Sequence, residues 1–480
     1  MNSAIEFLLG NEPQRIDFQN PRGPQPTTTV LQYLRSLPGH AGTKEGCAEG
    51  DCGACTVVLG EPNTNGTIRY KAVDSCLVFL PMLHGKQLIT VENLKSSSSD
   101  LHPVQQAMVD SHGSQCGFCT PGFVMSMFAL TKNSSNATRG QIDEALTGNL
   151  CRCTGYRPII EAAAIACATK SGDHFSNLQP ETIKTLQSIT TNSLHLRTQR
   201  QDYFRPTSLT EALELKRLHP AATVVNGATD IALRVTKQHE LIEKILDLSG
   251  IAELKLVEHS TSELRLGAGC SLETVKESTQ SDFPALHSML SVFGSLQIRN
   301  LATLGGNLGT ASPIGDTLPV LIAYNARVVL QSVEGRREIA MDDFFTGYRK
   351  TARKPDELIV AIILPKLNND TIVKAYKVSK RRDLDIATVS GAFCLKKTES
   401  GEVERLKLAF GGMAERTKCA NKTESFLRGK RWNRETVEQA MEILYEEFTP
   451  IADVRSGNEF RKLAARNLLM KFFVETTAPG

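Results

Sequence analysis

Twelve cysteines stand in this 480-residue chain, and eight of them are gathered between positions 47 and 153. They fall into two sets, Cys47, Cys52, Cys55 and Cys76, then Cys116, Cys119, Cys151 and Cys153; Cys167, Cys270, Cys394 and Cys419 are scattered singly. Thiolates either pair as disulfides or ligate soft metals, and the compartment decides which. Residues 1–10 have Glu6 among their apolar residues and no basic run before them, so they do not read as a signal peptide. A cytoplasmic location is the expectation, with metal ligands or buried thiols rather than disulfides.

In the first set four residues separate Cys47 from Cys52, two separate Cys52 from Cys55, and twenty separate Cys55 from Cys76. That is the spacing of plant-type 2Fe–2S ligands. Gly46, Gly50 and Gly53 suit it, because a loop around a sulfide-rich cluster needs positive φ and bare amides turned toward sulfur. Structural zinc usually takes two separated C-x₂₋₄-C knuckles instead of three cysteines on one loop. The second set is a C-x₂-C and a C-x-C with thirty-one residues between them. Alone it fits zinc as well as iron–sulfur, and its neighbourhood favours a second 2Fe–2S cluster. Cys119 precedes Thr120-Pro121 and Cys153 precedes Pro158, so both are expected at helix N-termini, where negative charge is stabilised.

Two further stretches could hold a phosphate. Residues 222–231 run from a β-branched strand into a turn through Val224, Val225, Asn226, Gly227, Ala228, Thr229, Asp230 and Ile231; residues 303–316 include Thr303, Gly305, Gly306, Asn307 and Asp316. Glycines admit close backbone approach and Thr and Asn supply donors, though tight turns use the same residues. Neither stretch is a Rossmann G-x-G-x-x-G.

The elements that must position these residues are those of an ordinary soluble chain. Hydrophobic content is 41%, charged content 22% and the formal net charge +3, which excludes a concentrated nucleic-acid footprint. No apolar run approaches the roughly 18 residues of a membrane span. Ile5, Phe7 and Leu9 alternate, as do Ile16 and Phe18, and Thr56–Leu59 and 87–91 read as further strands; Val30, Leu31, Leu34 and Leu37 mark a helix. Helices are then expected from Pro103, from a Thr120 N-cap, from a Thr138/Gln141 capping box and from Pro158. Residues 170–204 are polar and weakly patterned. Strands follow at 223–225, 264–266, 327–330, 387–395 and 405–410, and the chain closes with two amphipathic helices, the second carrying Phe460, Leu463, Leu468 and Phe472.

Residues 45–55, 115–122 and 148–156 resemble the two iron–sulfur domains of the molybdenum hydroxylases, the family of xanthine dehydrogenase, aldehyde oxidase and carbon monoxide dehydrogenase. The likeness extends along the chain and implies a multidomain α+β fold. A β-grasp plant-type ferredoxin domain would occupy 1–92, a four-helix 2Fe–2S domain 93–170 and a linker 171–203. An α+β FAD-binding domain of the vanillyl-alcohol-oxidase/PCMH type would occupy 204–370, and a C-terminal α+β domain of the CO dehydrogenase flavoprotein type 371–480. By resemblance, Val224 to Ile231 wraps the pyrophosphate and adenosine of FAD, Thr303 to Asn307 completes the phosphate cradle, Asp316 holds a ribityl or ribose hydroxyl, and Phe293, Ile359 and Lys377 touch the flavin. The family often has Gly or Asn where Ala228 stands. Residues 379–385 resemble the loop that governs access of NAD, and as a charged sequence equally fit a solvated turn.

The resemblance further implies the small iron–sulfur and flavin subunit of a bacterial xanthine dehydrogenase. Its partner would be a molybdopterin-binding large subunit, in a heterotetramer of two small and two large subunits. Electrons from hypoxanthine or xanthine would pass through the clusters to FAD and then NAD, with no catalytic residue on this chain. Another molybdenum hydroxylase, acting on an aldehyde or N-heterocycle with oxygen as acceptor, is the alternative. No nucleic acid or membrane partner is expected.

Overall fold

The computed structural model describes residues 3–63, 65–95, 100–169, 172–189 and 192–477. It forms two compact units, Met1–Ile251 with Gly294–Ala302, and Ala252–Phe293 with Thr303–Gly480. They part inside the stretch expected as a single flavin domain.

The first unit begins with a five-stranded sheet in the order Glu12–Asp17, Ala4–Leu9, Gln87–Ile89, Thr56–Pro62, Ile68–Asp74. Ile5, Phe7 and Leu9 face a core shared with Val30, Leu31 and Leu34 of the helix Val30–Ser36, whose Thr29 N-cap forms a capping box with Gln32. The strand Ile68–Asp74 was not expected, although Ile68, Tyr70 and Ala72 alternate inward along it. Four helices follow: Pro103–Asp110, Thr120–Asn133, Arg139–Leu146 and Arg157–Ala168. The capping box at Thr138 forms as expected. At the second helix the expectation fails by one residue, since Cys119 occupies the N-cap and Thr120 the first helical position.

Residues 170, 171, 190 and 191, near the ends of the polar stretch, lie outside the described residues. Between them are helices His174–Asn177 and Gln179–Ser188, and Leu194–Arg197 is a strand. The stretch is packed rather than free. Leu186 and Ile189 bury against Leu8, on the face of the first strand opposite the Ile5, Phe7 and Leu9 core. Asp173 pairs with His102 at 3.0 Å and Lys132 at 2.9 Å, all three largely buried. The strand Leu194–Arg197 edges a second sheet, ordered Leu194–Arg197, Asp202–Arg205, Lys244–Asp247, Thr223–Val225.

In the second unit one antiparallel sheet runs Val257–His259, Glu263–Gly267, Leu358–Pro365, Arg327–Ser332, Gly335–Ala340. Another joins Thr371–Val378, Val389–Lys397, Val403–Gly411 and Lys418–Cys419, and shares a core with helices Arg434–Glu447 and Asn458–Thr477. The last helix buries Arg461, Ala465, Leu468, Leu469 and Phe472. Phe460 and Leu463, expected on that face, are 51% and 47% exposed. Arg461 takes the inward position because its guanidinium meets Asp453 at 2.8 Å and the Gly412 carbonyl at 3.1 Å. Trp432 is buried and its indole N–H reaches Thr476 Oγ1.

Candidate redox centres

The eight cysteines come together as thiol pairs. Cys47 and Cys52 are hydrogen-bonded to one another, and Cys55 Sγ lies 3.4 Å from Cys76 Sγ. The loop turns backbone amides inward: Glu49 and Asp51 donate to Cys47 Sγ at 3.4 and 3.3 Å, and Cys47 donates to Cys52 Sγ at 3.4 Å. The bond with Cys52, helped by those amides, pulls the Cys47 thiol down to about 5 against the effect of burial. The same bond and burial push Cys52 up. Cys55 is raised by its bond with Cys76, by burial and by the nearby Asp74 carboxyl. In the Cys47–Cys52 pair one thiol is thus readied as a thiolate while its neighbour keeps the proton, whereas in the buried Cys55–Cys76 pair both are raised.

The second set repeats the arrangement from different elements. Cys116 and Cys153 sulfurs are 3.4 Å apart, and Cys119 bonds with Cys151. Against burial, the Thr154 hydroxyl and the amides of Thr154 and Cys153 bring Cys151 down to about 7, whereas burial and then Cys151 push Cys119 up to about 12. Cys119 stands at a helix N-terminus as expected, one position nearer the helix than the sequence places it. Cys153 does not, because Tyr156, left-handed at φ 67°, is the N-cap of Arg157–Ala168. Tyr156 instead folds back so that its hydroxyl accepts the Cys151 N–H at 3.0 Å. Among the described residues no three His, Cys, Asp or Glu side chains converge as a single-ion site. Paired thiols are the pattern a two-iron cluster asks for, two to each iron.

Sequence reasoning missed the groups that join the two sets. The Leu150 amide donates to the Cys52 carbonyl at 3.0 Å, and the buried Asn149 donates to the Gly53 carbonyl at 3.0 Å. Both residues stand inside the quoted 148–156 motif, but nothing local marks their partners, nearly a hundred residues earlier.

Of the flavin candidates, Val224 and Val225 lie on the strand Thr223–Val225, Asn226 to Asp230 form the turn after it, and Ile231 opens the helix Ile231–Thr236 in the first unit. Ala228 sits at φ 61°, which is why Gly or Asn serves well there. Gly227 is needed for packing, since a Cβ would collide with the Leu301 carbonyl. In the second unit Thr303 caps the helix Leu304–Thr310 by accepting the Gly306 amide at 3.1 Å. Gly305 donates to the Ala268 carbonyl, and the Asn307 amide oxygen accepts the Thr317 hydroxyl. Ile359 is on the strand Leu358–Pro365, with Gly309 beside it. Asp316 and Lys377 meet at 2.8 Å in nearly complete burial, and Lys377 also reaches the carbonyl of Val292, next to Phe293. Burial pushes the Asp316 carboxyl up while Lys377 opposes it. Among the described residues Asp316 Oδ1 is buried without a hydrogen-bond partner, an acceptor that suits a ligand hydroxyl.

Four family models match the chain in succession: the 2Fe-2S iron-sulfur cluster binding domain at 19–76, the [2Fe-2S] binding domain at 90–164, the FAD binding domain in molybdopterin dehydrogenase at 196–367 and the CO dehydrogenase flavoprotein C-terminal domain at 374–476. The chain belongs to the molybdenum hydroxylase family. This molybdenum hydroxylase chain is 36% identical to the xanthine dehydrogenase/oxidase of Mus musculus over 94% of its own length and 34% identical to the xanthine dehydrogenase of Emericella nidulans over 98%. It spans only 37% and 38% of those two relatives. Among solved structures, carbon monoxide dehydrogenase from Hydrogenophaga pseudoflava is similar with a TM-score of 0.54 and 25% identity, covering 57% of this chain and 95% of its own. Quinoline 2-oxidoreductase from Pseudomonas putida 86 matches at TM-score 0.53 and 23% identity, covering 57% and 95%, a likeness of fold. The chain is therefore an electron-transfer member of an oxidoreductase family, with two 2Fe–2S domains and an FAD-binding domain in a multidomain α+β fold. Among the described residues no helix is long and apolar enough to cross a membrane.

Proposed function

We propose that this chain is the electron-transfer part of a xanthine dehydrogenase, working with a molybdopterin-binding large subunit in a heterotetramer of two of each. The observation that carries the reading is alignment over 94–98% of the chain with xanthine dehydrogenases, at 34–36% identity, through both iron–sulfur domains and the flavin domain in one order. Cys47 with Cys52 and Cys55 with Cys76 would hold one 2Fe–2S cluster. Cys116 with Cys153 and Cys119 with Cys151 would hold the other. Val224 to Ile231, Thr303, Gly305, Gly306, Asn307, Phe293, Asp316, Ile359 and Lys377 are the proposed FAD residues. When bound, the clusters would supply one-electron transfer from purine hydroxylation on the large subunit to FAD, and the reduced flavin would supply hydride to NAD.

The residues of this chain hold and insulate those groups. Burial of Cys55 and Cys76 shields one centre. Cys116 and Cys153 are exposed, and Phe118, Leu150 and Tyr156, in the same two loops, are 49%, 38% and 37% exposed. An apolar surface beside exposed thiols supports the second centre as the one that meets the large subunit. The second reading is the equivalent part of another molybdenum hydroxylase, acting on an aldehyde or N-heterocycle with oxygen as acceptor.

The test is purification with the natural partner and assay on hypoxanthine, xanthine, quinoline and an aldehyde, with NAD or oxygen. Purine turnover with NAD is expected. Turnover of another substrate alone, or a complex without molybdopterin, would overturn the assignment.

A further inference from the structure

The segment Gly294–Ala302 comes between two stretches of the second unit in sequence, yet belongs to the first. Its side chains engage both cysteine-bearing regions. Gln297, wholly buried, donates through Nε2 to Ser126 Oγ and to Asn149 Oδ1, each at 3.0 Å. Ser126 also donates to Asn149 Oδ1, at 2.6 Å. Asn149 in turn donates to the Gly53 carbonyl at 3.0 Å and Thr56 Oγ1 at 3.1 Å. Asn300 donates to the Ala72 carbonyl at 2.9 Å, and the buried Arg299 reaches Glu144 at 2.6 Å.

Space around this network is shaped by missing side chains. A Cβ on Gly148 would collide with the Gln297 amide oxygen, one on Gly53 with the Gly148 carbonyl, and one on Gly122 with the Gly53 carbonyl. The backbones of the two cysteine loops therefore touch directly, along Cys52–Gly53 and Gly148–Leu150. Apolar packing alone would let such surfaces slide by fractions of an ångström at little cost. A buried network of directional bonds does not, because displacing any member strands a polar group in a low-dielectric interior.

We infer that Gly294–Ala302 is a clasp, and that Gln297 and Asn149 are positioning residues that fix the Cys52 loop against the Cys151 loop, and so the separation and coupling of the two iron–sulfur centres. This rests on the ligand sets proposed above. The placement is economical in sequence: the clasp continues directly into Phe293 and Thr303, both proposed flavin residues, and the loops it holds carry ligands of both clusters.

Gln297→Met keeps the length of the side chain and removes both donated bonds. In the full chain with its clusters, iron and flavin content should be unchanged. Both cluster signals should persist in electron paramagnetic resonance, with the magnetic splitting between the two reduced clusters diminished. Hydrogen exchange of the Leu150 amide should be on the order of tenfold faster, as the bond it makes to Cys52 loosens. Parent-like splitting and exchange would overturn the clasp. Should Gln297→Met not fold, Ser126→Ala removes one hydroxyl from the same network and should move both readouts in the same direction; no movement there overturns it equally. The exchange measurement needs no cluster, so a parent lacking both 2Fe–2S signals would sink the ligand assignment while Leu150 exchange still decides the clasp.

Discussion

The buried pair of Asp316 and Lys377 allows a prediction with a worked magnitude. Lys377→Met leaves the Asp316 carboxyl in place, buried, with Oδ1 already unpartnered and Oδ2 deprived of the ammonium that stood 2.8 Å away. A lone carboxylate there would cost several kcal/mol, but it can escape by taking up a proton. The escape sets a ceiling. An aspartate titrates near 3.9 when unfolded, so holding it neutral at pH 7 costs about 4 kcal/mol at about 1.36 kcal/mol per pH unit. The sign follows from linkage: the folded pKa is raised above the unfolded one, so the penalty is absent below about pH 4 and grows as pH rises. Urea unfolding of parent and variant at pH 5, 6, 7 and 8 should give a stability gap that widens by up to about 1.4 kcal/mol per unit. Adding Asp316→Asn should recover most of the loss at pH 7, since no charge is then left unpaired. A gap independent of pH, or a double variant no better than Lys377→Met, would refute the reasoning.

Cys116→Ser should abolish one iron–sulfur signal in electron paramagnetic resonance and leave the other, because the two thiol sets share no residue; survival of both signals would mean that the ligand set is wrong. Asp173 is held below the usual carboxylate range against the effect of burial, chiefly by His102 and Lys132. Its stabilising contribution is therefore present above about pH 4 and lost as pH falls toward the depressed folded pKa. Asp173→Asn should cost about 2 kcal/mol at pH 7, and the gap between parent and variant should narrow steadily as pH falls below about 4; a gap undiminished on acidification would show that the loss is not electrostatic.

Much of the local structure was legible because it is governed by neighbours in sequence. The Thr138 capping box and the alternating strand Ala4–Leu9 need only residues a few positions apart. Side-chain direction was less legible: Phe460 and Leu463 have helical spacing with Leu468 and Phe472, yet Arg461 faces inward because Asp453 and two backbone carbonyls receive its charge. The polar stretch around 171–203 read as a linker because it is poor in apolar residues. It is nonetheless packed, since Leu186 and Ile189 suffice to bury against Leu8, and Asp173 finds partners at His102 and Lys132.

The eight cysteines divide the two kinds of information most clearly. Spacing alone marked the Cys47–Cys55 loop as a 2Fe–2S candidate, because ligand geometry there constrains residues along one short stretch of chain; the second set, with thirty-one residues between its pairs, fits zinc as well and takes its 2Fe–2S reading from its neighbourhood. How the thiols pair, which of them are buried and which exposed, and what presses the two loops together depend on residues far apart in sequence, such as Gln297 on Asn149 and Leu150 on Cys52. Those contacts exist only once the chain has closed on itself, where burial gives each hydrogen bond its strength and leaves no water to replace a missing partner.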